Sequence, residues 1–170
     1  GTPRAKLDKR AVVVMCADNG VVAQGVTQTG QEVTATVTEN LTKGATSVCQ
    51  MAKVAGADVI PVDVGVARDV SGEGLRHYKV AYGTKDMTCG PAMTKEEAVA
   101  ALEAGISVVE ELKQDGYQII ATGEMGIGNT TTGSAIASVL LGQSVETMTG
   151  RGAGLSTEGL QRKIAAIKKA

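Results

Sequence analysis

The chain has 170 residues, with Lys+Arg 17 against Asp+Glu 18, and a formal net charge of -1, which excludes the strongly basic balance with which nucleic-acid binders grip phosphate backbones. A hydrophobic fraction of 43% beside 21% charged residues is enough to bury a core and solvate a surface, in a length ordinary for one domain of roughly 100–200 residues. No stretch approaches the roughly 20 apolar residues of a membrane span.

The chain opens on Gly1 to Arg10, a polar stretch carrying Arg4, Lys6, Lys9 and Arg10. It has no apolar secretory core, and the missing initiator Met creates the expectation of a trimmed or excised segment. The expectation is a cytoplasmic globular piece. Ala11 to Ala17 is a continuous apolar, β-branched run, the pattern of a strand covered on both faces. A loop is predicted from Asp18 to Gly30, turning on Asn19-Gly20. From about Gln31 to Gly56 the period becomes helical, with Val37, Leu41, Ala45, Val48, Ala52 and Ala55 on one face and Gly56 as the stop. Asp58 to Val66 is the second strand, with Pro61 implying an edge position or an irregularity.

Residues 67–93 are punctuated by Gly72, Gly74, Gly83, Gly90 and Pro91, with a short strand expected within His77 to Tyr82. A helix follows with a capping box, Thr94 as N-cap and Glu97 three residues on. Its expected apolar face is Ala98, Leu102, Ile106, Val109 and Leu112. Tyr117 to Thr122 reads as another buried strand. A helix is predicted from about Thr130 to Leu141. Another follows from Thr157, capped by Ser156, with Leu160, Ile164 and Ile167 inward. Strands alternating with helices predict an α/β domain over residues 1–170, a three-layer αβα arrangement on a mostly parallel, Rossmann-like sheet. The small sheet and the ending on Lys168-Lys169-Ala170 create the expectation of truncation at both ends.

Composition narrows the chemistry. There is no Phe or Trp and only three Tyr, so the stacking platforms of single-strand binders are lacking. Cys16, Cys49 and Cys89 form no CxxC pair, and His77 alone cannot complete a zinc site at the usual spacings. No metal or cofactor is expected. The three thiols are expected to be reduced and mostly buried, and His77 to lie on the surface or in a loop.

The strongest local signal is Gly123-Glu124-Met125-Gly126-Ile127-Gly128-Asn129-Thr130-Thr131-Thr132, between a strand and a helix. Glycines let the backbone approach an anion, and free amides and hydroxyls at the helix N-terminus can hold a phosphate. Strand carboxyl ends are where open α/β sheets bind ligands. It is not a P-loop, because no Gly-Lys-Ser/Thr follows. It is not a dinucleotide fingerprint either, because Asn129-Thr130-Thr131 replaces x-x-Gly. A tight strand-to-helix turn is the alternative. Glu124 could accept from a ribose hydroxyl, or be a solvated loop acid. Asp18-Asn19-Gly20 ends the first strand on the same sheet edge, where a turn alone could explain it. Arg151-Gly152-Ala153-Gly154 could clamp a phosphate or merely prepare the next N-cap. Lys163 lies one helical turn past that helix start, where an exposed lysine is the ordinary expectation.

Ala17-Asp18-Asn19-Gly20-Val21-Val22, Gly25-Val26-Thr27-Gln28, Gly90-Pro91-Ala92-Met93, Glu124-Met125-Gly126-Ile127-Gly128-Asn129-Thr130-Thr131 and Gly150-Arg151-Gly152-Ala153-Gly154 together resemble the nicotinate-nucleotide–dimethylbenzimidazole phosphoribosyltransferase family. The matches run in order through nearly the whole chain. The resemblance implies transfer of phosphoribose from nicotinate mononucleotide to 5,6-dimethylbenzimidazole, giving α-ribazole 5′-phosphate and nicotinate for the lower ligand of cobalamin. A cationic pyridinium leaves as a neutral ring, so this chemistry asks only for a phosphate anchor, a carboxylate base and an apolar slot.

By the same resemblance, Glu124, Gly126, Ile127, Gly128, Asn129, Thr130, Arg151 and Lys163 would hold ribose and phosphate. Gln28 and Met125 would flank the acceptor ring, with Asp18 also at the acceptor site. The family's catalytic base is a glutamate beyond position 170, and no residue here matches it. The chain is therefore expected to be the central part of an enzyme that is homodimeric at full length, and catalytically incomplete alone. Two other readings keep the same residues: the same donor with adenine, another benzimidazole or a phenol as acceptor, and a non-catalytic phosphate-binding module.

Overall fold

The computed structural model describes residues 6–170. Gly1 to Ala5, with the Arg4 of the polar opening stretch, lie outside the described residues. Strand β1 (Arg10–Ala17) runs through the middle of the sheet because its alternate side chains are apolar on both faces. Val14 and Cys16 pack with Ala35, Leu41 and Cys49 on one side, while Ala11 and Val13 pack with Val108 and Leu112 on the other.

Strands β2 (Ala57–Gly65), β3 (Arg76–His77) and β4 (Ile119–Met125) complete a four-stranded sheet in the order β3-β2-β1-β4. All three pairings are parallel. Helices α1 (Glu32–Thr42) and α2 (Ser47–Ala55) contribute to the first cluster, and α3 (Lys95–Gln114) to the second. This is the three-layer α/β architecture that the alternating pattern predicted. The chain steps from β1 to β2 to β3 on one side, then returns through α3 to β4 on the other side of β1. The carboxyl ends of β1 and β4 therefore flank the point where strand order reverses, which is where such sheets open a crevice.

Several elements differ from expectation. The single helix expected from Gln31 to Gly56 is two. The chain turns at Gly44 and starts again on Thr46, whose hydroxyl accepts the Cys49 N–H at 3.4 Å. The buried line is therefore Thr34, Ala35, Thr38, Leu41, Cys49 and Ala52, whereas Ala45 and Ala55 are exposed. Gly56 does stop α2, its N–H returning to the carbonyls of Ala52 and Lys53. The third strand is two residues, Arg76–His77, although Tyr78 and Val80 continue to donate to Asp63 O (2.8 Å) and Val64 O (3.0 Å). This short partner reaches only Val62 and Asp63, so Pro61 lies outside its pairing, which is how β2 tolerates a residue with no N–H.

The capping box of α3 is present, but its buried face is Ala104, Val108 and Leu112. Leu102, Ile106 and Val109 are 71%, 59% and 49% exposed. The helix carries two apolar stripes, and the narrower one meets the sheet, Val108 and Leu112 packing with Ala11, Val13 and Val62. β4 is not the buried strand expected. It is an edge strand, and Ala121 and Thr122, on opposite faces, are both exposed.

Helix α4 (Asn129–Leu141) presents Ile136, Val139, Leu140 and Leu141 to solvent. A short turn, α5 (Val145–Met148), precedes α6 (Thr157–Lys169). Ser156 caps α6 as expected, accepting the Gly159 N–H at 3.1 Å. Ile164 and Ile167 are buried. Cys16 and Cys49 are buried, Cys89 is exposed, and His77 is exposed on β3 rather than in a loop. Among the described residues no helix is long and apolar enough to cross a membrane.

Candidate phosphate-binding cleft

A cleft of about 280 Å³ opens at the carboxyl ends of β1 and β4. Its walls come from three segments distant in sequence: Val26–Thr29, the turn Gly126–Thr130, and the loop Arg151–Ala153, with Lys163 of α6 at the back. The turn can lie this close to β1 because residue 126 is glycine. A Cβ there would sit 2.1 Å from the Ala17 carbonyl oxygen, far inside van der Waals contact.

Lys163 is only 1% exposed, against the expectation of a surface lysine. Its Nζ donates to Thr130 Oγ1 at 2.8 Å and to Gly150 O at 3.2 Å. Both acceptors are neutral, and among the described residues no carboxylate forms an ion pair with it. Burial holds its pKa below the ordinary lysine value of 10.5, because the charged form loses hydration without gaining an opposite charge.

The backbone around this cation is partly committed. Ile127 N–H donates to Thr34 Oγ1, Asn129 N–H to Gly126 O and Thr131 N–H to Gly128 O, at 2.9–3.0 Å. The N–H groups of Gly128 and Thr130 have no acceptor among the described residues, and neither do those of Gly152, Ala153 and Gly154. Gly128, Thr130, Gly152 and Ala153 all line the cleft. Unbonded amides at the start of a 13-residue helix, a second glycine loop and a buried ammonium form a site suited to a multiply charged oxyanion. Gly152 adopts φ 57, and a Cβ on it would lie 2.8 Å from Thr130 Oγ1 and 3.4 Å from Lys163 Nζ. Only glycine leaves that space open.

The other candidates are distributed around this cleft. Arg151 lines it, but its guanidinium donates to Leu155 O (2.8 Å) and Thr157 Oγ1 (3.1 Å), bracing the loop. Gln28 also lines it and donates through Nε2 to Gly154 O. Glu124 lines an adjoining cavity that shares Asn129 and Thr130 as a common wall. Desolvation by the surrounding protein holds its carboxyl above the usual range. Met125 packs on the Val14–Cys16 cluster and lines a different cavity, with Val37, Leu41 and Glu124. Asp18 is 2% exposed and ties the ends of β1 and β2 together. Its Oδ2 accepts the Ala67 N–H (2.8 Å), its N–H donates to Gly65 O (2.9 Å), and its carbonyl accepts the Thr84 N–H (3.0 Å). The structure thus brings Gln28, Gly126, Ile127, Gly128, Asn129, Thr130, Arg151 and Lys163 into one cleft, with Glu124 next door and Asp18 and Met125 outside it.

The sequence model described as phosphoribosyltransferase matches residues 1–170. The chain belongs to that phosphoribosyltransferase family. It is 52% identical over 164 residues to the nicotinate-nucleotide–dimethylbenzimidazole phosphoribosyltransferase of Acetivibrio thermocellus, covering 96% of this chain and 47% of that protein. The relative of the same description from Alkaliphilus metalliredigens is 50% identical over 162 residues, covering 95% and 46%. The crystal structure of CobT from Thermus thermophilus superposes with a TM-score of 0.94 at 43% identity, over 97% of this chain and 50% of that one. The chain thus spans about half the length of the curated relatives it matches.

Two residues of this phosphoribosyltransferase chain escape sequence reasoning. Thr34 is fully buried in α1 and holds the Ile127 amide. Asn19 reaches across from the end of β1 to the Ile127 carbonyl. The only available signal for Thr34 is a pair of hydroxyls, Thr34 and Thr38, four apart on the otherwise apolar face of α1. Helical threonines commonly bond their own preceding turn, as Thr38 does to Thr34 O, so the pattern alone does not single out a contact to another element.

Proposed function

We propose that residues 1–170 form a single α/β domain that is the nucleotide-binding part of a nicotinate-nucleotide–dimethylbenzimidazole phosphoribosyltransferase. In this reading phosphoribose passes from nicotinate mononucleotide to 5,6-dimethylbenzimidazole, giving α-ribazole 5′-phosphate and nicotinate. The observation that carries it is Lys163, buried with no counter-charge among the described residues, between two glycine loops in which the Gly128, Thr130, Gly152 and Ala153 amides are unbonded. A folded protein keeps such a cation where an anionic ligand supplies the missing charge.

The 5′-phosphate then sits against Lys163 Nζ and the amides of Gly128, Thr130, Gly152 and Ala153. The shared wall of Asn129 and Thr130 leads the ribose toward Glu124, whose carboxylate accepts from the sugar hydroxyls. Fixing both ends of the phosphoribose orients the anomeric carbon for the incoming ring nitrogen, the positional contribution that this chemistry needs most. The leaving nicotinate is a neutral ring nitrogen, so no protein acid is required at that step. Gln28, at the mouth of the cleft, is suited to border the acceptor ring. Small-molecule substrates, a homodimeric full-length enzyme and a cytoplasmic setting belong to the same proposal.

Isothermal titration of the chain with nicotinate mononucleotide, and with the phosphate-free riboside, tests it. The mononucleotide should bind weakly, in the millimolar range, and the riboside should give no heat. Equal binding of both would remove the phosphate from the recognition scheme.

A further inference from the structure

Both polar groups of the Ile127 residue are held by side chains from other elements. Thr34 Oγ1 of α1 accepts the Ile127 N–H at 3.0 Å, and Asn19 Nδ2, just past β1, donates to the Ile127 carbonyl at 3.2 Å. Asn19 is itself fixed. Its Oδ1 accepts from the Thr132 hydroxyl (3.2 Å), and its backbone carbonyl accepts from Gln31 Nε2 (3.2 Å). Asn19 is 8% exposed and Thr34 fully buried, so neither bond competes freely with water.

Peptide planarity turns these two bonds into an aiming device. In a trans peptide the C=O and the following N–H point in opposite directions, and none of the described peptides is cis. Anchoring the Ile127 carbonyl toward Asn19 therefore sets the direction of the Gly128 N–H away from Asn19. That N–H has no acceptor among the described residues, and Gly128 lines the cleft. In the same way, Thr34 holds the Ile127 N–H and so sets the Gly126 carbonyl, which accepts the Asn129 N–H (3.0 Å) and opens the first turn of α4. Glycine at 128, at φ 90, would otherwise leave this peptide free to rotate.

We propose that Asn19 and Thr34 are positioning residues: together they lock the backbone on both sides of Ile127 so that the Gly128 amide is preset for the phosphate, without touching the ligand themselves. This rests on the phosphate reading of the cleft and deepens it. A preset donor binds an anion more tightly than one that must be reoriented.

The test is a 15N–1H titration of the 170-residue chain with inorganic phosphate, comparing wild type with Asn19→Ala, Thr34→Val and Thr34→Ser, alongside thermal melts. In wild type the Gly128 and Thr130 amides should shift on one saturation curve. Asn19→Ala should weaken phosphate binding about tenfold, the loss of one well-aimed charge-assisted hydrogen bond. It should also diminish the Gly128 shift at saturation while sparing that of Thr130. Thr34→Val should do the same and Thr34→Ser should restore it, a rescue that a volume effect on stability would not give. If wild-type Gly128 and Thr130 ignore phosphate, the cleft is not the anion site and the parent reading fails. If they respond, but Asn19→Ala binds phosphate as wild type does with the full Gly128 shift, the positioning role is overturned. Should Asn19→Ala not fold, the Thr34 pair decides alone, and wild-type affinity in Thr34→Val overturns the proposal.

Discussion

Two sheltered lysines stand near the carboxyl edge of the sheet, and their surroundings differ. Lys79, beyond β3, is 3.0 Å from Asp63 Oδ2. It also donates to the carbonyls of Val66 and Arg68 and lies 4.6 Å from the centroid of the Tyr82 ring. Every donor direction is used and its charge is matched, so it serves the fold. Lys163, behind the cleft, has only a hydroxyl and a carbonyl and, among the described residues, no negative partner. The contrast separates a cation that completes the protein from one that the protein leaves incomplete. The proposed function gives the second kind its ligand, because an unmatched buried charge lowers stability unless something from outside matches it.

Exchanging each lysine for methionine should break the two apart. Lys79→Met should cost the larger amount, about 3 kcal/mol in urea unfolding, because it strands Asp63, 1% exposed, as a buried charge without its cation. Its affinity for inorganic phosphate should stay at the wild-type value. Lys163→Met should show the converse, with phosphate affinity down about 30-fold, roughly 2 kcal/mol, and stability unchanged or raised. Gly152→Ala should come next, at about 1 kcal/mol of phosphate affinity. Its methyl meets Thr130 Oγ1 and crowds Lys163 Nζ, and its backbone conformation is strained for alanine.

The smallest effect is in pH. Lys163 titrates below 10.5 in the folded chain and near 10.5 when unfolded. Below the folded value both states hold the proton, and the burial penalty is complete. Between the two values the unfolded chain holds more protons, so stability rises with pH. The stability of wild type relative to Lys163→Met should therefore improve as the pH climbs through the folded value toward 10.5. Phosphate affinity should fall over the same climb, as the ammonium is lost. Thermal melts and phosphate titrations at each pH give both readings. A parallel pair of stability profiles would remove Lys163 as the titrating group.

The sequence carries the architecture well where a local rule suffices. The β1 run, the Thr94–Glu97 capping box, the Gly56 stop and the Ser156 cap depend on neighbours a few residues away, and each is present. Period alone gives α3 two apolar faces, and the richer one points to solvent. Choosing between them depends on how the chain path lays the helix against Ala11, Val13 and Val62, residues far from it in sequence. The apolar composition of β4 matches a buried strand, yet composition does not report which strand has a neighbour on each side. Within the site, the glycine turn is legible because glycine and threonine at a strand end have few uses. Lys163, 33 residues after Thr130, has its surroundings set by how α6 packs across α4 and the Gly150 loop. The Ile127 clamp is out of reach for the same reason: its two hydrogen bonds span 108 and 93 residues.

The most direct test of the central claim is a crystal of this chain with nicotinate mononucleotide bound. The 5′-phosphate should lie within about 3 Å of Lys163 Nζ and of the Gly128 and Thr130 nitrogens, with the ribose turned toward Glu124. A phosphate bound elsewhere, with Lys163 still held only by Thr130 and Gly150, would contradict it.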